Sequence, residues 1–224
     1  MSLPATQRAA ATDQSAHCVF VVDDDVSVRD GLKLLIGGAG YQVVAYASPQ
    51  EFLAHPPLSA ASCLILDVNL PEMNGLELQA QMLQSDKEMP IIFITGYADV
   101  PNTVQAMKAG AIEFLTKPFA ERALLEAIQQ GLQRSRRMRQ DAIELGSLRR
   151  RYASLTPRER EVMTLVVSGL LNKQIAAETG VVEQTIKARR GRVMRKMQAG
   201  SLADLVRIAA KLQGSVGSPT SGVV

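Results

Sequence analysis

Four places along this chain carry side chains suited to a hard cation or to phosphoryl chemistry. An apolar run, Cys18 to Val22, leads directly into three consecutive acids, Asp23, Asp24 and Asp25. Clustered carboxylates raise one another's pKa unless a cation neutralises them. A further acid, Asp67, follows a second apolar run (CLIL, 63–66), Thr95 closes a third (MPIIFIT, 89–95), and Lys117 follows a fourth (AIEFLT, 111–116). Such oxygens suit Mg²⁺ (or Mn²⁺), which takes an octahedral oxygen shell and readily shares it with water and phosphate oxygens. A carboxylate can also attack phosphorus and carry an acyl phosphate, with a hydroxyl and an ammonium steadying the phosphoryl oxygens.

For these residues to meet, the chain between them must bring the ends of the apolar runs together. The runs at 18–22, 41–47, 63–66, 89–95 and 111–116 are short and rich in β-branched residues, as buried parallel strands are. Between them, helical spacing appears at 26–37 (Val28, Leu32, Leu35, Ile36), 48–54, through 75–83 and over 101–110, with a further helix after Lys117-Pro118. Five strands alternating with five helices predict right-handed βαβ crossovers and an open five-stranded parallel sheet, an α/β flavodoxin-like (βα)₅ fold. In such sheets ligands gather beyond the carboxyl ends of the strands, where the strand order reverses.

The character of the chain then changes. Residues 1–122 carry 7 Lys and Arg against 14 Asp and Glu, whereas residues 123–224 carry 18 against 8. An acidic half joined to a basic half implies two domains, the second facing a polyanion. Leu124, Leu125, Ile128 and Leu132 are spaced to pack on the sheet, SRRMRQD (135–141) reads as a solvated basic stretch, and Leu145, Leu148 and Tyr152 resume helical spacing. Gly131 and Gly146 weigh against one unbroken helix. Beyond, Thr156-Pro-Arg-Glu is a good helix start. Helical stretches follow through Gly169, over 172–180, 182–200 and 201–212. The expected organisation is a disordered arm (1–15), an α/β domain (16–133), a helical linker (134–153), an all-helical domain (154–212) and a disordered tail (213–224).

A short helix, a glycine turn and a basic helix match helix-turn-helix DNA binding. In the basic helix Ile186, Val193 and Met197 share one face, as a core face should. Lys187, Ala188, Gly191 and Arg195 lie largely on another, flanked by Arg190, Arg192 and Lys196. Small residues there permit close approach to base edges, and the cations suit phosphates.

The first domain resembles the receiver domain of two-component response regulators. The marks are VVDD at the first strand, the spacing Asp67…Pro71…Gly75, Thr95-Gly96, and Lys117-Pro118-Phe119. The resemblance implies that Asp67 accepts a phosphoryl group. It also implies that Asp23, Asp24, Asp67 and the backbone carbonyl of Asn69 hold the metal, that Thr95 and Lys117 bind phosphoryl oxygens, and that Lys117-Pro118 is cis. Phe114 matches the aromatic that repacks with Thr95 on activation. The second domain resembles the LuxR-type helix-turn-helix. Its marks are L-T-x-R-E at 155–159, N-K-x-I-A at 172–176, and T-I-K at 185–187 with R-x-x-x-M-x-K-M at 190–197. Thr185, Lys187, Ala188, Arg190, Gly191, Arg192, Arg195 and Lys196 become the expected DNA contacts. Arg189 stands where many members of that family have His.

Together these imply a FixJ/NarL-type regulator. A sensor histidine kinase would phosphorylate it, the phosphorylated form would dimerise, and it would act with promoter DNA and RNA polymerase. The alternatives are a DNA-binding regulator indifferent to phosphate and a haloacid-dehalogenase-like phosphatase. The latter lacks a late acid pair here, so enzyme activity beyond self-phosphorylation and self-dephosphorylation at Asp67 is not expected. No apolar run reaches the ~18 residues a bilayer demands. No secretory leader is legible at the N-terminus, and the expectation is a cytoplasmic protein. Cys18 and Cys63 read as buried free thiols. With His17 and His55 they give no zinc spacing.

Overall fold

The computed structural model describes residues 17–54, 60–85, 88–97 and 100–214, in two compact units that divide after Arg139. The expected arm over 1–15, His55 and the tail from 215 onward lie outside the described residues. In chain order the first unit runs β1 (Cys18–Val22), α1 (Val26–Gly38), β2 (Gln42–Tyr46), α2 (Pro49–Ala54), β3 (Ser62–Asp67), α3 (Gly75–Leu83), β4 (Ile91–Thr95), α4 (Val100–Lys108), β5 (Glu113–Thr116) and the start of α5 (Glu121–Ala153).

All strand pairings are parallel, in the order β2-β1-β3-β4-β5. The inner strands β1, β3 and β4 are buried along their whole length, and the edges β2 and β5 only in part. That pattern explains why the inner runs are apolar throughout rather than alternating. Successive side chains feed two cores. Phe20, Leu64, Leu66 and Phe93 pack with Phe52, Leu78, Met82 and Ala106 of α2, α3 and α4. Val19, Val21, Ile65, Ile92 and Ile94 pack on the opposite face with Leu32 and Ile36 of α1 and Leu124, Ile128 and Leu132 of α5. Cys18 and Cys63 join opposite cores as free thiols, and burial pushes both thiols up.

α5 is continuous over 33 residues, so the last helix of the receiver extends into the helical linker and neither Gly131 nor Gly146 interrupts it. Gly131 has a packing role instead. The helix crosses β3 so closely that a Cβ there would stand 3.0 Å from Cys63 Cβ and 3.7 Å from Pro90 Cβ. The basic stretch after it is also not simply solvated. Ser135 is buried and its Oγ accepts from the Ser62 amide at 3.0 Å. Arg134 donates to the Gly110 carbonyl, Arg136 to His17 Nε2 at 2.8 Å, and Arg139 to the Ala60 carbonyl. These polar groups face the amino-terminal edge of the sheet, where they give the Gly110 and Ala60 carbonyls partners.

The second unit contains the rest of α5 with α6 (Pro157–Val167), α7 (Asn172–Thr179), α8 (Glu183–Met197) and α9 (Leu202–Gly214). Its core holds Leu155, Val162, Met163, Val166, Ile175, Ile186, Val193, Met197, Leu205 and Ala209. Thr156 and Glu159 form a reciprocal capping box at α6, with Pro157 in the first turn. Gly180 ends α7 at φ 65°. α8 stops earlier than the expected residue 200, because Gln198 takes the left-handed conformation at φ 55°. Ser201 Oγ then accepts from the Asp204 amide at the start of α9, which extends to Gly214, two residues into the segment read as tail.

Candidate functional site

Parallel strands in register end at one level, and that alone assembles the acidic site. Val22 pairs with Leu66, so Asp23 emerges beside Asp67 at the point where the strand order reverses between β1 and β3. Thr95 pairs with Thr116 at the ends of β4 and β5, and the Lys117 amide donates to the Thr95 carbonyl at 2.7 Å. Lys117 is thereby delivered to the same edge, and its peptide bond to Pro118 is cis.

The three leading acids have separate surroundings. Asp23 is fully buried and accepts from Lys117 Nζ at 2.7 Å and from the Asp25 amide at 2.9 Å. Asp24 is exposed, and one of its oxygens lies within 4.8 Å of oxygens of Asp23 and Asp67. Asp25 turns away and caps α1, its Oδ1 accepting from the Ser27 amide at 2.8 Å. One residue escaped the sequence reading altogether. Arg29, a turn into α1, donates from a single nitrogen to the Asp23 carbonyl (2.7 Å) and the Asp24 carbonyl (2.8 Å), fixing the loop that presents the acids.

Asp67 is 6% exposed, and its Oδ1 is buried without a hydrogen bond. At 3.5 Å the Lys117 ammonium attracts that oxygen without bonding to it. Burial pushes the Asp67 carboxyl up to about 6, the Asp23 and Asp24 charges add to the rise, and Lys117 opposes it. An unsolvated carboxylate oxygen aimed into a group of acids is what a divalent cation relieves, and the all-oxygen donor set fits a magnesium-sized ion. Gly75 backs the site, because a Cβ there would run into the Asp67 carbonyl oxygen. The Thr95 hydroxyl is fully engaged elsewhere. It donates to the Tyr97 carbonyl at 2.9 Å and accepts from the Tyr97 amide and from Asn69 Nδ2. Phe114 is half-buried, its ring centroid 6.0 Å from that of Phe93.

In the second unit the expected contact residues lie on α8, but they are not equivalent. Lys187, Ala188 and Arg195 are exposed, and Gly191 and Thr185 half-buried. Arg190 donates to Asn172 Oδ1 on α7 at 3.1 Å. Lys196 Nζ bonds Glu159 Oε2 at 2.6 Å and the Ser154 carbonyl at 3.0 Å, and Arg192 stands 3.6 Å from Glu159 Oε1. The Lys196 bond, with the Thr156 amide, holds the buried Glu159 carboxyl down at about 2. The sequence offered Glu159 only as part of a helix start; its tie to α8 crosses 37 residues and had no local signal.

Residues 19–129 match the response regulator receiver domain, and residues 153–209 match the bacterial regulatory proteins of the luxR family. Nodulation protein W of Bradyrhizobium diazoefficiens is 46% identical over 87% of this chain and 86% of its own length. The chain is a FixJ/NarL-type response regulator. The transcriptional regulatory protein FixJ of the same organism is 39% identical over 86% of this chain and 94% of its own length. Among solved structures, the response regulator StyR superposes with a TM-score of 0.76 at 47% identity, covering 88% of this chain and all of that one. Full-length FixJ from B. japonicum gives 0.54 at 38%, over 89% and 98%. This response regulator therefore couples a flavodoxin-like receiver to a helical DNA-binding output domain, and that membership decides against the haloacid-dehalogenase-like reading. No described helix is long and apolar enough to cross a membrane.

Proposed function

We propose that this response regulator is switched by phosphorylation of Asp67 by a sensor histidine kinase. The observation that carries the reading is the buried, unbonded Oδ1 of Asp67, beside Lys117 and among two further acids. Asp23, Asp24, Asp67 and the Asn69 carbonyl would hold Mg²⁺ or Mn²⁺, which supplies positive charge against the phosphoryl oxygens. An Asp67 oxygen attacks the phosphorus of a phosphohistidine. The new O–P bond forms as the P–N bond breaks, and the imidazole leaves with the electron pair. Lys117, already 3.5 Å from Asp67, neutralises a phosphoryl oxygen. Thr95 can serve another only by giving up its donation to the Tyr97 carbonyl. That rearrangement links Asp67 chemistry to the loop after β4, and Phe114, packed on Phe93, repacks with it. Self-phosphorylation from small donors and slow self-hydrolysis would use the same groups.

The rearranged face around α4 and β5 favours a homodimer, and paired output domains gain affinity for promoter DNA through two half-sites. There, with RNA polymerase, the protein would act in the cytoplasm. Thr185, Lys187, Ala188, Arg190, Gly191, Arg192, Arg195 and Lys196 lie on the helix that would enter the major groove. Comparing promoter binding with and without acetyl phosphate and Mg²⁺ tests the switch. Tighter binding after treatment is expected of wild type and not of Asp67→Asn. Equal affinity would leave a regulator indifferent to phosphate.

A further inference from the structure

The six cations of α8 sort by what already engages them. Lys196 is held by a buried carboxylate and a backbone carbonyl, and its side chain is 35% exposed. Arg192 leans on the other oxygen of the same carboxylate. Arg190 is held by the Asn172 side chain. These contacts join α8 to α6, to α7 and to the turn before α6, so together they set the pose of α8 on the rest of its unit. Among the described residues, no hydrogen bond or ion pair engages Lys187, Arg189 or Arg195.

Position on the helix agrees with the sorting. At 100° per residue, Lys187, Gly191 and Arg195 fall along one stripe, away from the buried Ile186, Val193 and Met197. Arg189 lies on the flank nearest Lys196 without sharing its carboxylate. Withdrawing Lys196 from Glu159, whose side chain is 6% exposed, would leave a buried charge with only Arg192, 3.6 Å from its other oxygen, to offset it. An unpaired cation meets no such cost, and binding it to a phosphate releases a counterion.

Resting on the reading of α8 as the DNA-entering helix, we propose that its cations divide between two tasks: Arg190, Arg192 and Lys196 position the helix, and Lys187, Arg189 and Arg195 carry the contacts to DNA phosphates. Glu159 and Asn172 are then positioning residues for recognition, acting through α8 without touching DNA. Arg189 adds a permanent charge to the contacting set.

The test uses the full-length protein and a mixed-sequence duplex of about 30 base pairs, with affinity followed by anisotropy over a range of salt. Lys187→Gln, Arg189→Gln and Arg195→Gln should each reduce the slope of log affinity against log salt by about one, with melting temperature unchanged. Lys196→Gln and Arg190→Gln should keep the wild-type slope while lowering the melting temperature of the output unit. Lys196→Arg, which can still reach Glu159, should restore that temperature. Should Lys196→Gln fail to fold, Arg190→Gln and Lys196→Arg decide the matter. A slope loss at Arg190→Gln or Lys196→Gln equal to that at Lys187→Gln overturns the division. Salt-independent wild-type binding would instead overturn the DNA reading of α8 itself.

Discussion

Replacing Asp67 with Asn should stabilise the metal-free receiver unit, and by an amount that grows with pH. The folded carboxyl sits at about 6 against an ordinary value of 3.8. The folded protein therefore binds more protons than the unfolded chain between about pH 4 and pH 6, and stability falls as pH rises through that window. Some two pKa units correspond to about 3 kcal/mol of penalty above pH 6. Loss of attraction to Lys117 is already included, since that ammonium opposes the shift. Asn removes the charge while keeping the shape, so the gain at pH 8 should approach that figure and vanish near pH 4. Amide exchange in β1 and β3, with chelator present, reads the opening of this unit alone. Protection should rise about a hundredfold in Asp67→Asn at pH 8. Equal protection at pH 8, or a gain independent of pH, would refute the argument that burial and the neighbouring acids destabilise Asp67.

Three further outcomes test the packing. Gly131→Val should cost about 1–3 kcal/mol by overpacking against Cys63 and Pro90, and Cys63→Ala, which keeps the Cβ but removes the Sγ that would stand 3.6 Å from the new Cβ, should recover part of that loss in urea titrations of the double variant. Glu159 has a folded pKa depressed from 4.5 to about 2, so its contribution is present above pH 4.5 and lost as pH falls toward 2; the output unit of Glu159→Gln should melt lower than wild type at pH 7 by calorimetry, with the difference shrinking below pH 4. Cys63 is fully buried with its thiol pushed above the usual range. A thiol reagent followed by mass spectrometry should label it only at the rate of global opening.

The sheet and its candidate site were legible for one reason: of five short apolar runs, four ended on, or led to, a residue with distinctive chemistry. Parallel register then left little freedom in where Asp23, Asp67, Thr95 and Lys117 could go. What escaped the sequence was long-range or non-periodic. Gly131 argues against a helix on propensity, yet its value lies in the approach of α5 to β3, which no local rule contains. Arg134, Arg136 and Arg139 look solvated by composition, but carbonyls and His17 at the strand starts give them partners. Helical spacing set Lys187 and Arg195 on a face apart from Arg190 and Lys196, but that Asn172 and Glu159 hold the latter two has no local signal in the sequence.

The most direct test of the central claim is the intact mass of the protein after incubation with acetyl phosphate and Mg²⁺. Wild type should gain one phosphoryl group, lost again on standing, and Asp67→Asn should gain none. Equal uptake by the two proteins would contradict the assignment of Asp67.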